Sequence, residues 1–207
     1  MRTHSQESQN SLTPDTALEI LKEGNQRFVN NLKANRNLLQ QVNETCNGQF
    51  PFATILSCID SRISAELIFD QGLGDIFSIR IAGNVSNKDI LGSMEFATKL
   101  AGSKVIVVLG HTRCGAITGA CQQVKLGNLT SLLDKIQPAI EQENTIKENR
   151  TGDNPEFVRN VTEINVHLTI ETIRRESEII AEMEKNDEIR IVGGLYDVET
   201  GSVTFYE

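Results

Sequence analysis

The chain has 207 residues, 39% of them hydrophobic and 23% charged, which is enough to form one sizeable hydrophobic core. We predict a single domain over residues 1–207, with an N-terminal helical arm at about 12–34 and a core at about 50–207. The formal net charge of -8 argues against nucleic acid or an anionic membrane as a partner, because proteins that bind phosphate groups concentrate Lys and Arg.

The sequence also argues against a membrane segment. No stretch approaches the roughly twenty consecutive apolar residues that a membrane-spanning helix needs. The start, Met1 to Asn10, is polar and lacks the apolar segment of a signal peptide. We therefore expect a cytoplasmic protein by default, although a leader removed from the chain would leave no trace in it.

Hydrophobic spacing predicts the first elements of the fold. Thr13-Pro14-Asp15 is a helix start, and apolar residues recur at roughly helical spacing from there to Leu32. A helical arm therefore precedes the core. Three short apolar runs are typical of parallel strands covered on both faces, namely Phe52–Ser57, Ile76–Ala82 and Val105–Leu109.

The second half of the chain completes an α/β pattern. A helix is predicted between the second and third strands, from Ile90 to Leu100. Further helices are predicted over Ala116–Lys125, Leu129–Glu143 and Phe157–Lys185, and strands over Glu188–Leu195 and Ser202–Tyr206. The turn Asp197–Gly201 makes the last two strands a hairpin, so a mostly parallel central sheet flanked by helices gains an antiparallel edge strand. The polar stretch Glu141–Glu156 is the best candidate for a mobile surface loop.

Two short segments carry three candidate metal ligands. Cys58 follows the first predicted strand, and His111 and Cys114 follow the third. Because sites in α/β sheets form beyond the carboxyl ends of the strands, we expect these side chains to converge. Two thiolates and an imidazole suit zinc, and three protein ligands leave the fourth tetrahedral position of a catalytic site.

The other cysteines and histidines are weaker candidates. Four cysteines are too few for a disulfide scaffold at this length, and Cys46 and Cys121 have no partner at ligand spacing. His4 lies in a polar tail and His167 on a helical face, where a surface position is the simpler interpretation.

Asp60 and Arg62 follow Cys58 at two-residue steps, so in an extended segment all three side chains would point the same way. The Asp60 carboxylate could accept a hydrogen bond from water on the metal, and Arg62 could keep it ionised through a bidentate pair. Asp60 thus has two possible partners, Arg62 or the metal. In the second case it would fill the open position and switch the site off.

The strings Cys58-x-Asp60-Ser61-Arg62 and His111-x-x-Cys114-Gly115 together resemble the β-class carbonic anhydrases, and the similarity runs over most of the chain. The resemblance implies one Zn²⁺ per chain on two cysteines and a histidine, with water or hydroxide as the fourth ligand and Asp60 and Arg62 as catalytic residues. It implies reversible hydration of carbon dioxide to bicarbonate. It also implies a homodimer or a dimer of dimers, with N-terminal helices that embrace the partner.

The same resemblance assigns a substrate pocket. Gln49, Phe77, Phe96 and Gly115 are expected to line it, and the pocket is expected to straddle the dimer interface. Phe96 stands where plant-type relatives have tyrosine, so one hydrogen-bond donor is missing. Ile55 stands where some bacterial relatives have a tryptophan that helps to bind regulatory bicarbonate, so we expect no such allosteric site and a resting state with Asp60 paired to Arg62.

Three other functions compete with carbon dioxide hydration. Hydrolysis of carbonyl sulfide or carbon disulfide could use the same zinc ligands, and the sequence does not separate it from hydration. A non-catalytic zinc scaffold would usually close all four positions with cysteine or histidine. Nucleotide binding is disfavoured, because no Gly-x-Gly-x-x-Gly follows a strand.

Overall fold

A computed structural model describes residues 3–206 and has one five-stranded sheet. The strands are β1 (Ala53–Ser57), β2 (Ile76–Arg80), β3 (Val105–His111), β4 (Arg190–Tyr196) and β5 (Val203–Tyr206). Their order across the sheet is β2-β1-β3-β4-β5, in which only β5 runs antiparallel to its neighbour. The prediction of a mostly parallel sheet with an antiparallel edge strand is confirmed.

Ten α-helices are defined within the described residues. The first half has α1 (Gln6–Asn10), α2 (Pro14–Val29), α3 (Leu38–Thr45), α4 (Ala65–Ile68) and α5 (Lys88–Glu95). The second half has α6 (Gly115–Cys121), α7 (Gly127–Leu133), α8 (Gln137–Gln142), α9 (Pro155–Glu176) and α10 (Glu178–Lys185). A 3₁₀ turn at Ala82–Asn84 follows β2, and a π-helical turn at Phe96–Leu100 extends α5. None of these helices is long and apolar enough to cross a membrane.

The core lies on both faces of the sheet because successive side chains of a strand point in opposite directions. Val105 and Val107 of β3 pack with residues of α2 and α4, including Leu21. Ile106 and Val108 pack against α5, α9 and α10. All five residues of β1 and all seven of β3 are buried, which explains why both appear in the sequence as almost continuous apolar runs.

Several predicted boundaries were wrong for local reasons. The arm helix ends at Val29, before Leu32, because Asn31 adopts a left-handed φ of 54°. The helix predicted over Phe157–Lys185 is divided at Ser177, whose side chain caps α10 by accepting from the Ile180 N–H. The helix predicted over Leu129–Glu143 is likewise divided into α7 and α8. The short helices α1, α3 and α4 were not predicted.

The segment predicted to be a mobile loop is held by a buried carboxylate. Glu143 is almost fully buried and pairs with Arg150 at 2.6 Å. Burial raises the pKa of Glu143, but hydrogen bonds from Thr145 and Ile146 outweigh it and lower the pKa to about 2. Arg150 also donates to the carbonyl groups of Ile146 and Ile140. These bonds give the first part of the loop a defined conformation, contrary to the expectation of mobility.

The N-terminal arm is anchored to the core by another buried carboxylate. Asp70 pairs with Arg27 at 2.6 Å and with Arg36 at 2.5 Å, and it accepts the N–H of Ala34. Burial raises the pKa of Asp70, but these partners outweigh burial and leave the pKa lowered. The segment that follows α2 is thereby fixed against the end of α4.

Candidate metal centre

The three predicted ligands meet at the carboxyl edge of the sheet. Cys58 follows β1 directly, His111 is the last residue of β3, and Cys114 caps the N-terminus of α6. All three are buried, and their ligand atoms lie within 4.8 Å of one another. The two sulfur atoms are 4.0 Å apart. His111 was expected just after the strand, but β3 continues through it because it pairs with Tyr196 of β4.

The imidazole of His111 is oriented by a neighbouring carbonyl group. Its Nδ1 lies 3.0 Å from the carbonyl oxygen of Thr112, so the tautomer with the proton on Nδ1 satisfies that contact. Nε2 is buried and has no hydrogen-bond partner among the described residues. An imidazole with Nδ1 bonded to a carbonyl and Nε2 unoccupied is the usual arrangement of a metal-binding histidine.

Thr112 is itself held in place by the sheet. Its N–H donates to the carbonyl of Tyr196 at 2.9 Å, and its hydroxyl accepts the N–H of Val198 at 3.0 Å. The end of β4 therefore fixes the carbonyl group that orients His111. Sequence analysis did not identify this role of Thr112.

The two thiols form a coupled pair that shares one proton. A hydrogen bond from Cys114 lowers the pKa of Cys58 to about 4, and the same contact raises the pKa of Cys114. The Gly83 N–H also donates to the sulfur of Cys58, at 3.4 Å. One thiolate is thus present already, and metal binding would displace the remaining proton. The donor set of two sulfurs and one unoccupied ring nitrogen fits Zn²⁺.

Asp60 and Arg62 are paired beside the ligands. Arg62 Nε and Nη2 donate to the two carboxylate oxygens at 2.9 and 2.8 Å. This bond and the charge of Arg62 hold the pKa of the Asp60 carboxyl well below its usual range. The segment is not extended, as was expected, because the Arg62 N–H also donates to Asp60 Oδ1 and closes a turn.

Arg80 fixes the backbone between the metal ligand and this pair. It donates to the carbonyl of Cys58 at 3.2 Å and to that of Asp60 at 2.8 Å. The string containing Arg80 was noticed in the sequence, but no role in holding this segment was deduced from it. A charged residue at the end of a strand next to the ligand strand was the available signal.

The residues assigned to the substrate pocket fall into two groups. Gly115 adjoins Cys114, and a Cβ placed on it would meet no atom within 4 Å, so open space lies beside the ligands. Gln49 precedes β1, whereas Cys58 follows it, and the strand between them spans about 16 Å. Phe77 pairs with Thr54 near the start of β1, and its ring lies 6.2 Å from that of Phe96. Within one chain, Gln49, Phe77 and Phe96 are not brought to the metal ligands.

The remaining cysteines and histidines lie outside the ligand cluster. Cys46 is exposed and Cys121 is buried, and both are free thiols. His4 packs against the ring of Phe52, while the exposed His167 packs against Tyr206.

Comparison with known proteins agrees with this site. A family model described as carbonic anhydrase matches residues 53–203. Carbonic anhydrase 2 of Mycobacterium tuberculosis is 35% identical over 196 residues, which are 91% of this chain and 90% of that protein. The carbonic anhydrase of Synechococcus elongatus is 29% identical over 178 residues, covering 82% of this chain and 64% of the relative.

Solved structures of similar fold carry the same family name. The β-carbonic anhydrase CafA of Aspergillus fumigatus has a TM-score of 0.72 at 24% identity, covering 93% of this chain and 90% of its own. A structure from work on two tetrameric β-carbonic anhydrases of Sordaria macrospora has a TM-score of 0.68 at 24% identity, covering 80% and 89%. With the family match and the sequence relatives, this fold shows that the chain is a carbonic anhydrase of the β class.

Proposed function

We propose that the protein binds one Zn²⁺ through Cys58, His111 and Cys114 and catalyses the reversible hydration of carbon dioxide to bicarbonate. The observation that carries this proposal is the buried cluster of two sulfurs and an unoccupied imidazole nitrogen beside a carboxylate held ionised by arginine. A bound zinc ion supplies hydroxide at neutral pH by lowering the pKa of a coordinated water. Carbon dioxide would approach through the open space beside Gly115.

Asp60 and Arg62 have defined roles in this proposal. The Asp60 carboxylate accepts a hydrogen bond from the attacking hydroxide and so directs its lone pair toward carbon dioxide. Arg62 occupies both carboxylate oxygens, which keeps Asp60 ionised and turned toward its own side of the turn. Rotation of the carboxylate away from Arg62 and onto the metal would close the site.

A purely structural zinc site is the weaker alternative. Such a site usually has four protein ligands. Among residues 3–206, no fourth His, Cys, Asp or Glu completes the cluster formed by the three ligands. This arrangement supports a metal position that is open to substrate.

The proposed function is tested by metal content together with two substrates. We expect about one zinc per chain, loss of carbon dioxide hydration when a chelator removes the zinc, and recovery when zinc is returned. Carbonyl sulfide and carbon disulfide are assayed on the same preparation, and we expect their turnover to be slower than that of carbon dioxide. Hydration that survives complete zinc removal, or faster turnover of carbonyl sulfide, would contradict the proposal.

The pH dependence of hydration should reflect the two thiolates. They donate more charge to zinc than imidazoles do, so the coordinated water should be less acidic than the pKa of about 7 known for a three-histidine carbonic anhydrase site. We expect the rate to rise with pH, with a midpoint above about 7. Asp60 is already ionised in this range and cannot cause the rise. Stopped-flow hydration from pH 6 to 9 measures the profile, and a flat profile would refute the argument.

We further propose that the active form is at least a dimer, in which one chain supplies substrate-binding residues to the other. Strand β2 is an edge of the sheet, and a groove beside it is lined by Phe77, Ile79 and Phe96, the last of which is 50% exposed. Exposed apolar residues also occur along the N-terminal arm, at Val29, Leu32, Leu38, Leu39 and Val42. A second copy seated on this edge would cover these surfaces and could place Gln49 near the partner's metal site.

Mixed oligomers test whether Gln49 acts across the interface. The Gln49→Ala chain keeps its metal ligands, and the Cys114→Ser chain keeps Gln49, so together they can form one intact site in a mixed dimer. We expect co-expressed chains to hydrate carbon dioxide faster than the sum of the two variants made separately. If Gln49 served its own chain, no mixed site would be intact and co-expression would give no gain.

A further inference from the structure

Asn165 is a buried polar residue on the helix that covers the sheet. It lies in the middle of α9 and is 3% exposed, with buried Val166 beside it and buried Thr162 one turn before it. Burying an amide side chain is unfavourable unless it is hydrogen-bonded. Asn165 Nδ2 donates to the carbonyl of Gly83 at 2.9 Å, across 82 residues of sequence. The side chain therefore links α9 to the turn after β2.

The turn that receives this bond has an unusual backbone. Gly83 has φ 68° and ψ 16°, and Asn84 follows with φ 43°, so two consecutive residues are left-handed. A Cβ on Gly83 would also lie 2.9 Å from Ile136 Cδ1. A conformation of this kind persists only where surrounding contacts hold it. The bond from Asn165 is such a contact.

The same turn directs a donor at a metal ligand. The Gly83 N–H donates to Cys58 Sγ at 3.4 Å, and this bond contributes to the lowered pKa of the Cys58 thiol. Hydrogen bonds to ligating atoms tune the charge that they donate to a metal. Asn165 holds the carbonyl of the same residue whose N–H bonds the sulfur.

We propose that Asn165 is a positioning residue of the metal centre. By holding the Gly83 carbonyl, it keeps the Gly83 N–H directed at Cys58 Sγ and limits the charge that this sulfur donates. The inference rests on the proposed zinc site. It offers a way in which a site with two thiolates retains Lewis acidity, through a residue that does not touch the metal or the substrate.

Cobalt(II) in place of zinc gives a readout that does not depend on activity. The sulfur-to-cobalt charge-transfer band is recorded for the parent, Asn165→Leu and Asn165→Ala. A sulfur that loses a hydrogen bond is a stronger donor, so we expect the band to move to lower energy in both variants. Competition with a chelator is expected to show about 10-fold weaker zinc binding, at the lower end for outer partners of metal ligands.

Thr169→Val is the matched control. Thr169 lies one turn beyond Asn165 on α9, is 5% exposed, and makes no hydrogen bond to Gly83. Valine keeps its shape and removes only the hydroxyl. We expect the cobalt band and the zinc affinity of this variant to equal those of the parent.

The outcomes separate this inference from the proposed function. A parent without a thiolate-to-cobalt band would refute the zinc site itself. A normal parent band that is unchanged in folded Asn165 variants would overturn only the role of Asn165. The contact is also measurable in the parent loaded with an NMR-active cadmium isotope, where we expect a scalar coupling between the metal and the Gly83 amide proton. Its absence would overturn the proposal even if neither variant folds.

Discussion

Replacing Cys114 with serine is expected to remove the metal and abolish hydration. The serine hydroxyl is a poor zinc ligand at neutral pH, and Cys114 is fully buried between Cys58 and the start of α6. Loss of an outer partner alone costs 10- to 100-fold in metal affinity, so loss of a direct ligand should cost more than about 100-fold. Elemental analysis of the purified variant and stopped-flow hydration measure both effects. Cys58→Ser and His111→Ala should behave in the same way.

Cys121→Ser is the control for that experiment. Cys121 ends the same helix, is also buried, and lies outside the ligand cluster. Burial raises the pKa of its thiol to about 11, so it remains protonated at neutral pH. Its serine variant should keep about one zinc per chain. Equal zinc loss in Cys121→Ser and Cys114→Ser would mean that damage to the fold, and not loss of a ligand, explains the result.

Asp60→Ala is expected to keep the metal and lose the rate. The carboxylate is not one of the three clustered ligands, and in the structure it is occupied by Arg62. Positioned groups that manage a proton or its hydrogen bond contribute about 100- to 10,000-fold, so we expect kcat to fall by at least about 100-fold. Zinc content and kcat are measured on one preparation. Zinc loss that parallels the fall in rate would instead place Asp60 among the metal ligands.

Asp134→Asn is the matched control for the lost carboxylate. Asp134 is exposed and pairs with Lys125 at 3.4 Å on the surface. Exposed pairs of this kind contribute little, so both zinc content and rate should stay near those of the parent. Arg62→Ala examines the other half of the pair. Without the guanidinium, the pKa of Asp60 should rise toward its usual value, and the carboxylate becomes free to turn toward the metal.

Much of the ligand set could be predicted because it depends on local pattern and topology. Cys58 and His111 stand at the ends of apolar runs that can only be buried strands, and parallel strands bring their carboxyl ends together. Cys114 could be added because it is three residues from His111 at the start of a helix. The pairing of Asp60 with Arg62 was expected from charge and spacing, although the turn that forms it was not.

The roles of Thr112, Gly83 and Asn165 could not be predicted, because each acts through a backbone group or a contact far away in the chain. A carbonyl that orients His111 and an N–H that bonds Cys58 have no residue signature. Asn165 meets Gly83 only after α9 has packed on the sheet. The sequence by itself therefore determined which side chains can hold a metal and at which edge of the sheet. Only the tertiary structure decided how those ligands are oriented, since hydrogen-bond geometry depends on the relative placement of elements that are distant in the chain.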